Sequence, residues 1–271
     1  MEQEDISTLC YKLITQKERT LLLRKICKIL DTSPNNCQTF WKYQHVPLIL
    51  LDEIVRTYYT LNTQKFTSEE CSRICTVLNI MQRILYCKDI RNSMFETHMP
   101  FYLYPFLNLS DNTQKYECLR IASLGVIGSL LQDDSEVAVN YLKNTELIPL
   151  TLRIMDIGSE VSKVVATHIF LKIINNKEGL EYACQTFERF VAISVILNSM
   201  VYQCISIPSI RLLKGVLECY IRLTFKGNVK VSLFSKKPEA LMHTEIQKQI
   251  DSNPECKELF NRFMDIIASG K

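Results

Sequence analysis

The sequence predicts an all-α fold built from repeated helical units, and three observations support this. Apolar residues recur at helical spacing through most of the 271 residues. The chain has only 7 glycines and 8 prolines, few of the turn residues that an all-β fold needs. A helix, a polar break and a second helix recur at a period of roughly 40 to 50 residues between Arg73 and Leu223. This period predicts an armadillo-like α-solenoid, a right-handed superhelix of about six repeats.

Three polar breaks align with one another: "SMFETHMPFYLYPFL", "YLKNTELIPLTLRIM" and "ACQTFERFVAISVIL". Pro100 and Pro149 stand 49 residues apart (149 − 100), and Phe190 takes the equivalent place 41 residues later (190 − 149). Proline suits the first turn of a helix, where its missing N–H has no partner to lose. Each break is therefore predicted to open a new helix.

The predicted helices follow in order along the chain, in seven stretches with helical spacing of apolar residues: 11–30, 39–59, 68–85, 119–131, 164–174, 209–223 and 255–268. "DTSPNN" at 31–36 ends the first, and "TSEE" at 67–70 predicts a capped start for the third. The fourth and fifth are apolar nearly all round, which predicts a central place in the stack. Gly125 and Gly128 indicate that a neighbouring backbone, in plain helix–helix packing, or alternatively a ligand comes close there. Residues 225–241 read as a basic, broken stretch.

No Gly/Ser/Pro-rich segment or charge run divides the chain, so we expect a single domain over 1–271. The sequence contains no G-x-S-x-G, no phosphate-binding glycine loop and no H-E-x-x-H. We therefore predict that the chain is not an enzyme and binds no cofactor. His168, inside an apolar helix, is expected to be a hydrogen-bonded core residue. No apolar run of about 18 residues is present, so no membrane partner is expected.

Eleven cysteines and a start, "MEQEDISTLC", without a signal peptide predict reduced thiols in the cytoplasm, with the nucleus as a second compartment. Cys71 and Cys75 lie four apart on a predicted helix and would reach the same ion. A structural zinc site needs four ligands, and no matching His/Cys pair follows. We therefore predict no metal and expect small buried side chains instead.

Four basic residues open successive third helices of the repeats: Arg73, Arg120, Lys163 and Arg211. On an armadillo stack this basic ladder would line the inner groove and attract an acidic peptide or nucleic acid. The alternative is that these side chains lie over apolar surface with their charged ends in water. The net charge of +3 does not by itself argue for nucleic acid.

"CQTFERF" at 184–190 groups Phe187, Arg189 and Phe190 at a junction between loop and helix. An arginine beside aromatic rings can form a slot for another aromatic side chain. Packing of both phenylalanines into the core is the alternative.

Four segments together resemble one known family: "LRIASLGVIGSLL", "LIPLTLRIMDIGSEVSKVVATHIFLKII", "GLEYACQTFERF" and "SIRLLKGVLECYIRL". They are similar to the armadillo subunit of the CCR–NOT deadenylase complex, the "required for cell differentiation" family. The resemblance divides the chain into divergent N-terminal helices (1–38), family-like repeats (39–224) and a divergent C-terminal cap (225–271). It implies a non-catalytic adaptor of cytoplasm, nucleus and P-bodies that acts in mRNA decay, deadenylation, translational repression and gene silencing.

The resemblance also implies three sets of binding residues. The convex set would take tryptophan-containing segments of silencing factors: Gln185, Phe187 and Arg189, with Phe187 where a tyrosine is frequent. The concave set would take helical repressor peptides: Cys118, Arg120, Leu124, Gly125 and Val165, with Cys118 where a larger aromatic residue is frequent. The scaffold set would bind the NOT scaffold protein: Trp41, Lys42, Leu48 and Val55.

The first hypothesis is therefore an adaptor that binds the NOT scaffold and repressor or silencing-factor peptides. The second is weak, direct binding of nucleic acid through the basic ladder, which would fall steeply with salt. The third is a homodimer formed through an exposed apolar face.

Overall fold

The computed structural model describes residues 4–33, 35–111, 113–132, 138, 140, 141 and 144–269. These residues are helical with short connections, and they contain no β-strand. The chain forms two compact units, one ending at Gln132 and one beginning at Asp133. The single armadillo domain over 1–271 stays a prediction.

Unit 1 contains eight α-helices and one short 3₁₀ helix among its described residues. The helices are α1 (Ile6–Thr15), α2 (Thr20–Thr32), α3 (Asn36–Lys42), α4 (Val46–Leu61), α5 (Ser68–Ile84), α6 (Lys88–Glu96), the 3₁₀ helix (Met99–Leu103), α7 (Tyr104–Leu107) and α8 (Gln114–Leu130). The stretch predicted as one helix over 11–30 is thus two helices. Gln16 ends α1 in an extended conformation, since its φ is −97° and its ψ is 141°.

The long helices α2, α5 and α8 form the core row of unit 1, with α5 packed between the other two. They begin at Thr20, Ser68 and Gln114, which are 48 (68 − 20) and 46 (114 − 68) residues apart. The predicted cap of α5 is confirmed: Thr67 Oγ1 accepts from the Glu70 N–H at 3.2 Å, and Glu70 Oε2 accepts from the Thr67 N–H at 3.1 Å. This capping box fixes the first turn of the central helix.

Two histidines occupy the left-handed region in front of proline-bearing helices. His45 precedes α4 with a φ of 67°, and His98 precedes the 3₁₀ helix with a φ of 53°. A positive φ is unfavourable for a residue with a Cβ atom but turns the chain sharply. Pro47 and Pro100 follow two residues later, inside the first turn of the new helix.

Unit 2 continues the same pattern with eight α-helices and a second 3₁₀ helix in the described residues. They are α9 (Leu147–Ile157), α10 (Glu160–Asn175), α11 (Lys177–Ala183), α12 (Phe187–Ser206), α13 (Ile210–Leu223), α14 (Gly227–Ser235), the 3₁₀ helix (Glu239–Met242), α15 (Thr244–Ser252) and α16 (Pro254–Ala268). Here α10, α13 and α16 form the core row, with α13 in the middle. The stretch predicted as broken does break at 236–238, between α14 and the 3₁₀ helix, but the helix α14 inside it was not predicted.

One more expectation is corrected in unit 2. His168 is exposed on α10 and is no core residue. One described helix, α12, is long and apolar enough by length and composition to cross a membrane. Its buried side chains recur at helical spacing and include Phe190, Ile193 and Leu197. Since α12 packs on α9 and α13, it is a structural element of unit 2.

Candidate peptide-binding surfaces

The convex set lies at the start of α12, where the chain turns after α11. Thr186 caps α12, because its hydroxyl accepts from the Arg189 N–H at 3.3 Å. Residues 185–189 are all exposed, whereas Phe190 is buried. The rings of Phe187 and Phe190 lie 6.0 Å apart at 50°. The two phenylalanines therefore have separate roles: Phe190 anchors the turn in the core, and Phe187, 57% exposed, stands on the surface.

Arg189 is held in place by three contacts with its neighbours. Its guanidinium lies 4.4 Å from the centre of the Tyr182 ring. It also donates to the Tyr182 carbonyl at 3.0 Å and to Gln185 Oε1 at 2.9 Å. The prediction grouped Arg189 with Phe187 and Phe190, whereas in the structure its guanidinium stacks on Tyr182, which was not predicted. A cation held over a ring leaves a flat surface on which another aromatic side chain can stack.

Two cavities flank this turn. One, of about 290 Å³, runs along Phe187, Val191 and Val195 to the segment that contains Pro238. The other, of about 580 Å³, is lined by Tyr182 and Gln185 together with acidic and basic side chains. Hence Phe187 faces a cavity whose surface is mostly apolar, although Lys236, Lys237 and Glu239 also line it, while Gln185 faces a more polar one.

Val191 and Val195 were not predicted as site residues, although their spacing from Phe187 indicates that they share its face of the helix. Positions 187, 191 and 195 follow the i, i+4, i+8 pattern that places residues on one helical face. Val191 is 40% exposed and Val195 is 62% exposed. The three side chains form an apolar stripe along α12 beside the smaller cavity.

The concave set divides into exposed and buried members. Cys118 is exposed, and Gly125 and Val165 are half-buried. Leu124 is fully buried in the core of unit 1 and offers no surface to a peptide, so its assignment was wrong. Val165 belongs to unit 2 and the other members to unit 1.

Gly125 lies against the side chain of Gln82 on α5. A Cβ atom at position 125 would lie 1.6 Å from Gln82 Nε2, which itself donates weakly to the Ala122 carbonyl at 3.5 Å. The close neighbour that the glycine predicted is therefore a flexible side chain of the next core helix.

The basic ladder is not a row of free cations. Arg120 is fully buried, and its guanidinium donates to the carbonyls of Leu109 at 2.8 Å and Asp111 at 3.2 Å, with Glu117 as its ion-pair partner. Because Arg120 is buried and its guanidinium is occupied by these contacts, it offers no surface to a peptide, and its assignment to the concave set was also wrong. The prediction was wrong because the main-chain carbonyls in the connection between α7 and α8 need hydrogen-bond donors, and one arginine can donate to several of them.

Lys163 and Arg73 are also engaged in the fold. Lys163 is buried, and its ammonium donates to the Asp156 carbonyl at 2.6 Å and to Gln203. Burial lowers its pKa, against the opposing effect of Asp156. Arg73 pairs with Glu53, a carboxylate 2% exposed. Only Arg211 of the four remains exposed, at 72%, with Glu160 3.8 Å away.

The scaffold set lies on α3 and α4. Leu48 is 64% exposed, Lys42 is exposed, and Trp41 and Val55 are half-buried. Tyr59, which the sequence analysis did not select, extends the same face of α4 and is 81% exposed. Positions 48, 55 and 59 share one side of the helix, as their i, i+7, i+11 spacing requires. The exposed apolar side of α4 is therefore larger than predicted.

Comparison with known proteins supports both the fold and the resemblance. Two solved structures match nearly the whole chain with a TM-score of 0.66 each. One is an engineered protein, a structural genomics target, at 10% identity with 98% of each chain covered. The other is a designed armadillo repeat protein at 12% identity, with 97% of this chain and all of that chain covered. At such identities the likeness shows the fold alone, which confirms the predicted all-α, armadillo-like solenoid.

Two relatives are similar in sequence over most of the chain. Cell differentiation protein rcd1 of Schizosaccharomyces pombe is 41% identical over 201 residues, which are 74% of this chain and 71% of the relative. Protein CAF40 of Saccharomyces cerevisiae is 36% identical over 210 residues, which are 77% of this chain and 56% of the relative. A family model described as "Cell differentiation family, Rcd1-like" matches residues 9–267. The chain therefore belongs to the Rcd1-like cell differentiation family.

Proposed function

We propose that this chain is a non-catalytic adaptor subunit of the CCR–NOT deadenylase complex, which binds the NOT scaffold and captures repressor peptides. Membership of the Rcd1-like family points to a subunit of this complex. The observation that favours peptide capture is the surface around Phe187, where an exposed ring borders a mostly apolar cavity of about 290 Å³. The proposed action brings messenger RNA marked by a repressor to the deadenylases, in the cytoplasm and also the nucleus.

The convex surface suits an aromatic side chain of a peptide. A phenylalanine or tryptophan ring inserted beside Phe187 would contact Val191 and Val195, and its apolar surface would be removed from water. Arg189, already held over Tyr182, would present its second face without further ordering of its side chain. Although Phe187 lacks a tyrosine hydroxyl, these apolar contacts do not require one.

The scaffold surface suits an amphipathic helix. Leu48, Val55 and Tyr59 offer an apolar side on α4, and Lys42 adds a positive charge at one end. A partner helix that places apolar side chains at i, i+4 and i+7 would cover this side.

Affinity purification of the tagged chain from its own cells, with partners identified by mass spectrometry, tests the proposal. Leu48→Glu should abolish recovery of the NOT scaffold, because it would bury an unpaired carboxylate in an apolar interface. Leu21→Glu is the matched control, since Leu21 is 67% exposed on α2 of the same unit. Recovery of the scaffold by Leu48→Glu at the level of the control would refute the scaffold surface.

Phe187→Ala tests the convex surface with a tryptophan-containing peptide. We expect affinity to fall by tenfold or more, since loss of a central aromatic contact costs about 1.4 to 2 kcal/mol. Phe225→Ala is the control, because Phe225 is 63% exposed elsewhere in unit 2. Equal affinity of both variants would remove this surface from the proposal.

A further inference from the structure

Three of the eleven free cysteines line one cavity of unit 1. The cavity measures about 880 Å³ and is bordered by Cys71 and Cys75 on α5 and by Cys118 on α8. Cys71 is 6% exposed, Cys75 is half-buried and Cys118 is exposed. The cavity therefore gives a small molecule a path from the solvent to sulfur atoms at different depths.

Cys71 and Cys75 form a close pair. Their Sγ atoms lie 4.0 Å apart, because positions four apart share one face of a helix. Cys71 Sγ also donates to the Lys115 carbonyl at 3.1 Å. Among the residues that the structure describes, no other two sulfur atoms lie within hydrogen-bonding distance of each other. The pair is thus a dithiol whose two sulfurs are about 2 Å farther apart than in a disulfide.

The charges around the pair differ between its two members. The hydrogen bond with Cys75 lowers the pKa of the Cys71 thiol, against the opposing effect of burial, and the Lys115 ammonium lowers it further. The same hydrogen bond, with burial and the neighbouring thiols, raises the pKa of Cys75 far above its usual range. Lys115 is fixed beside the cavity by its hydrogen bond to the Phe66 carbonyl at 2.8 Å. Cys71 is therefore the more acidic thiol of the pair, and it becomes the nucleophile once it has lost the proton that it donates to the Lys115 carbonyl.

The buried cysteines elsewhere have the opposite character. Burial raises the pKa of Cys184 and of Cys204 to about 11, and neither has a second thiol beside it. A thiol that stays protonated reacts slowly with oxidants. Reactivity should therefore concentrate at the cavity of unit 1.

We propose that Cys71 and Cys75 are an oxidation site at which a peroxide forms a reversible disulfide within α5. The Cys71 thiolate attacks one oxygen of hydrogen peroxide, the O–O bond breaks, and a sulfenic acid forms with release of hydroxide. Cys75 sulfur then attacks Cys71 sulfur, the S–O bond breaks, and the Cys75 proton and the hydroxyl leave as water. In sum, the dithiol loses two electrons and two protons, and one peroxide becomes two waters.

The fold fits a peroxide and a reversible bond. A peroxide is small enough to reach Cys71, which a bulky disulfide would not contact at 6% exposure. Cβ atoms four apart on a helix lie about 5 to 6 Å from each other, whereas disulfides use about 3.5 to 4.5 Å. The bond therefore draws one turn of α5 together, and a dithiol reductant should open it. Cys118 borders the same cavity, so this contraction of α5 would also alter the surface around Cys118, the exposed member of the concave set.

The test treats the folded, full chain with hydrogen peroxide, alkylates the remaining thiols and maps every cysteine by mass spectrometry. We expect the peptide that contains Cys71 and Cys75 to lose two hydrogen atoms, to resist alkylation and to recover both thiols with dithiothreitol. Cys184 and Cys204 should remain alkylatable after denaturation. Cys118→Ser is the matched control, and it should form the same disulfide as the parent chain.

Variants of the pair separate the two steps. In Cys75→Ser, Cys71 should stop at the sulfenic acid and be trapped by dimedone, whereas in Cys71→Ser no disulfide should form in α5. Unmodified Cys71 and Cys75 in the parent chain, at a peroxide concentration that oxidises Cys118, would overturn the proposal. A disulfide that joins Cys118 to either member of the pair would also overturn it, and neither readout depends on a variant that might misfold.

Discussion

Replacement of Arg120 by methionine tests whether this residue supports the fold or a ligand. Arg120 is fully buried, and its guanidinium donates to two main-chain carbonyls, those of Leu109 and Asp111. Methionine fills a similar volume but donates no hydrogen bond. The variant therefore removes the donors and preserves most of the apolar packing.

The expected loss of stability follows from these contacts. Each charge-assisted hydrogen bond contributes about 1.5 to 3 kcal/mol, so two contribute about 3 to 6 kcal/mol. Arg120 Nε is buried without a hydrogen bond in the described residues, and removal of this unsatisfied donor regains about 1 to 3 kcal/mol of stability. The net loss is about 2 to 3 kcal/mol, a large part of the roughly 5 to 15 kcal/mol that stabilises a folded protein.

Thermal unfolding followed by circular dichroism measures this loss. For a chain of this size, each kcal/mol lowers Tm by about 2 to 4 °C, so Arg120→Met should lower it by about 4 to 12 °C. Amide exchange should increase most around Leu109, Asp111 and the start of α8, where the freed carbonyls lie.

Arg211→Met is the matched control from the same basic ladder. Arg211 is 72% exposed, and the nearest carboxylate oxygen, on Glu160, is 3.8 Å away. Removal of such an exposed pair changes stability by less than about 0.5 kcal/mol. If both variants keep the parent Tm while Arg120→Met loses affinity for an acidic peptide, Arg120 is a ligand contact and the reasoning fails.

Three further predictions concern single positions. Thr67→Ala removes the capping box of α5 and should lower the free energy of unfolding by about 1 kcal/mol, measured by chemical denaturation against Ser68→Ala. Burial lowers the pKa of Lys163, so the unfolded chain binds more protons than the folded chain at pH values between this lowered pKa and the unfolded pKa near 10.4. The parent should therefore gain stability relative to Lys163→Met as pH rises toward that value, and a constant difference would contradict this. Gly125→Trp should displace Gln82 and block a peptide from the concave set while the circular dichroism spectrum is kept; unchanged peptide affinity would exclude this surface.

The fold could be predicted from the sequence because the signals of a repeat are local. The spacing of apolar residues and the capping box at Thr67 depend on neighbours within one helix, so they are readable without coordinates. The break between α1 and α2 was missed because residues 16–19 carry no proline or glycine. The helix α14 was missed because its basic residues resemble those of a loop.

The candidate surfaces were only partly predictable, since exposure depends on tertiary packing. Phe187 and Leu48 are exposed, as their proposed roles require, but Phe190 and Leu124, which were also selected from the sequence, are buried. The prediction that the basic ladder lines an open groove was wrong for the same reason. A sequence gives the position of a cation such as Arg120 on its helix, but it does not show which carbonyls of another segment lie within reach.

The helix α16 covers part of α13, and this packing limits how far the chain can be shortened from its C-terminal side. Its Phe263 ring lies 5.6 Å from the ring of Tyr220, a side chain with no exposed surface in the middle helix of the row. A chain cut before Pro254 would leave Tyr220 and the adjacent side of α13 in contact with water. We expect such truncated forms to aggregate, so a tag or fusion partner should be added after this helix and not substituted for it.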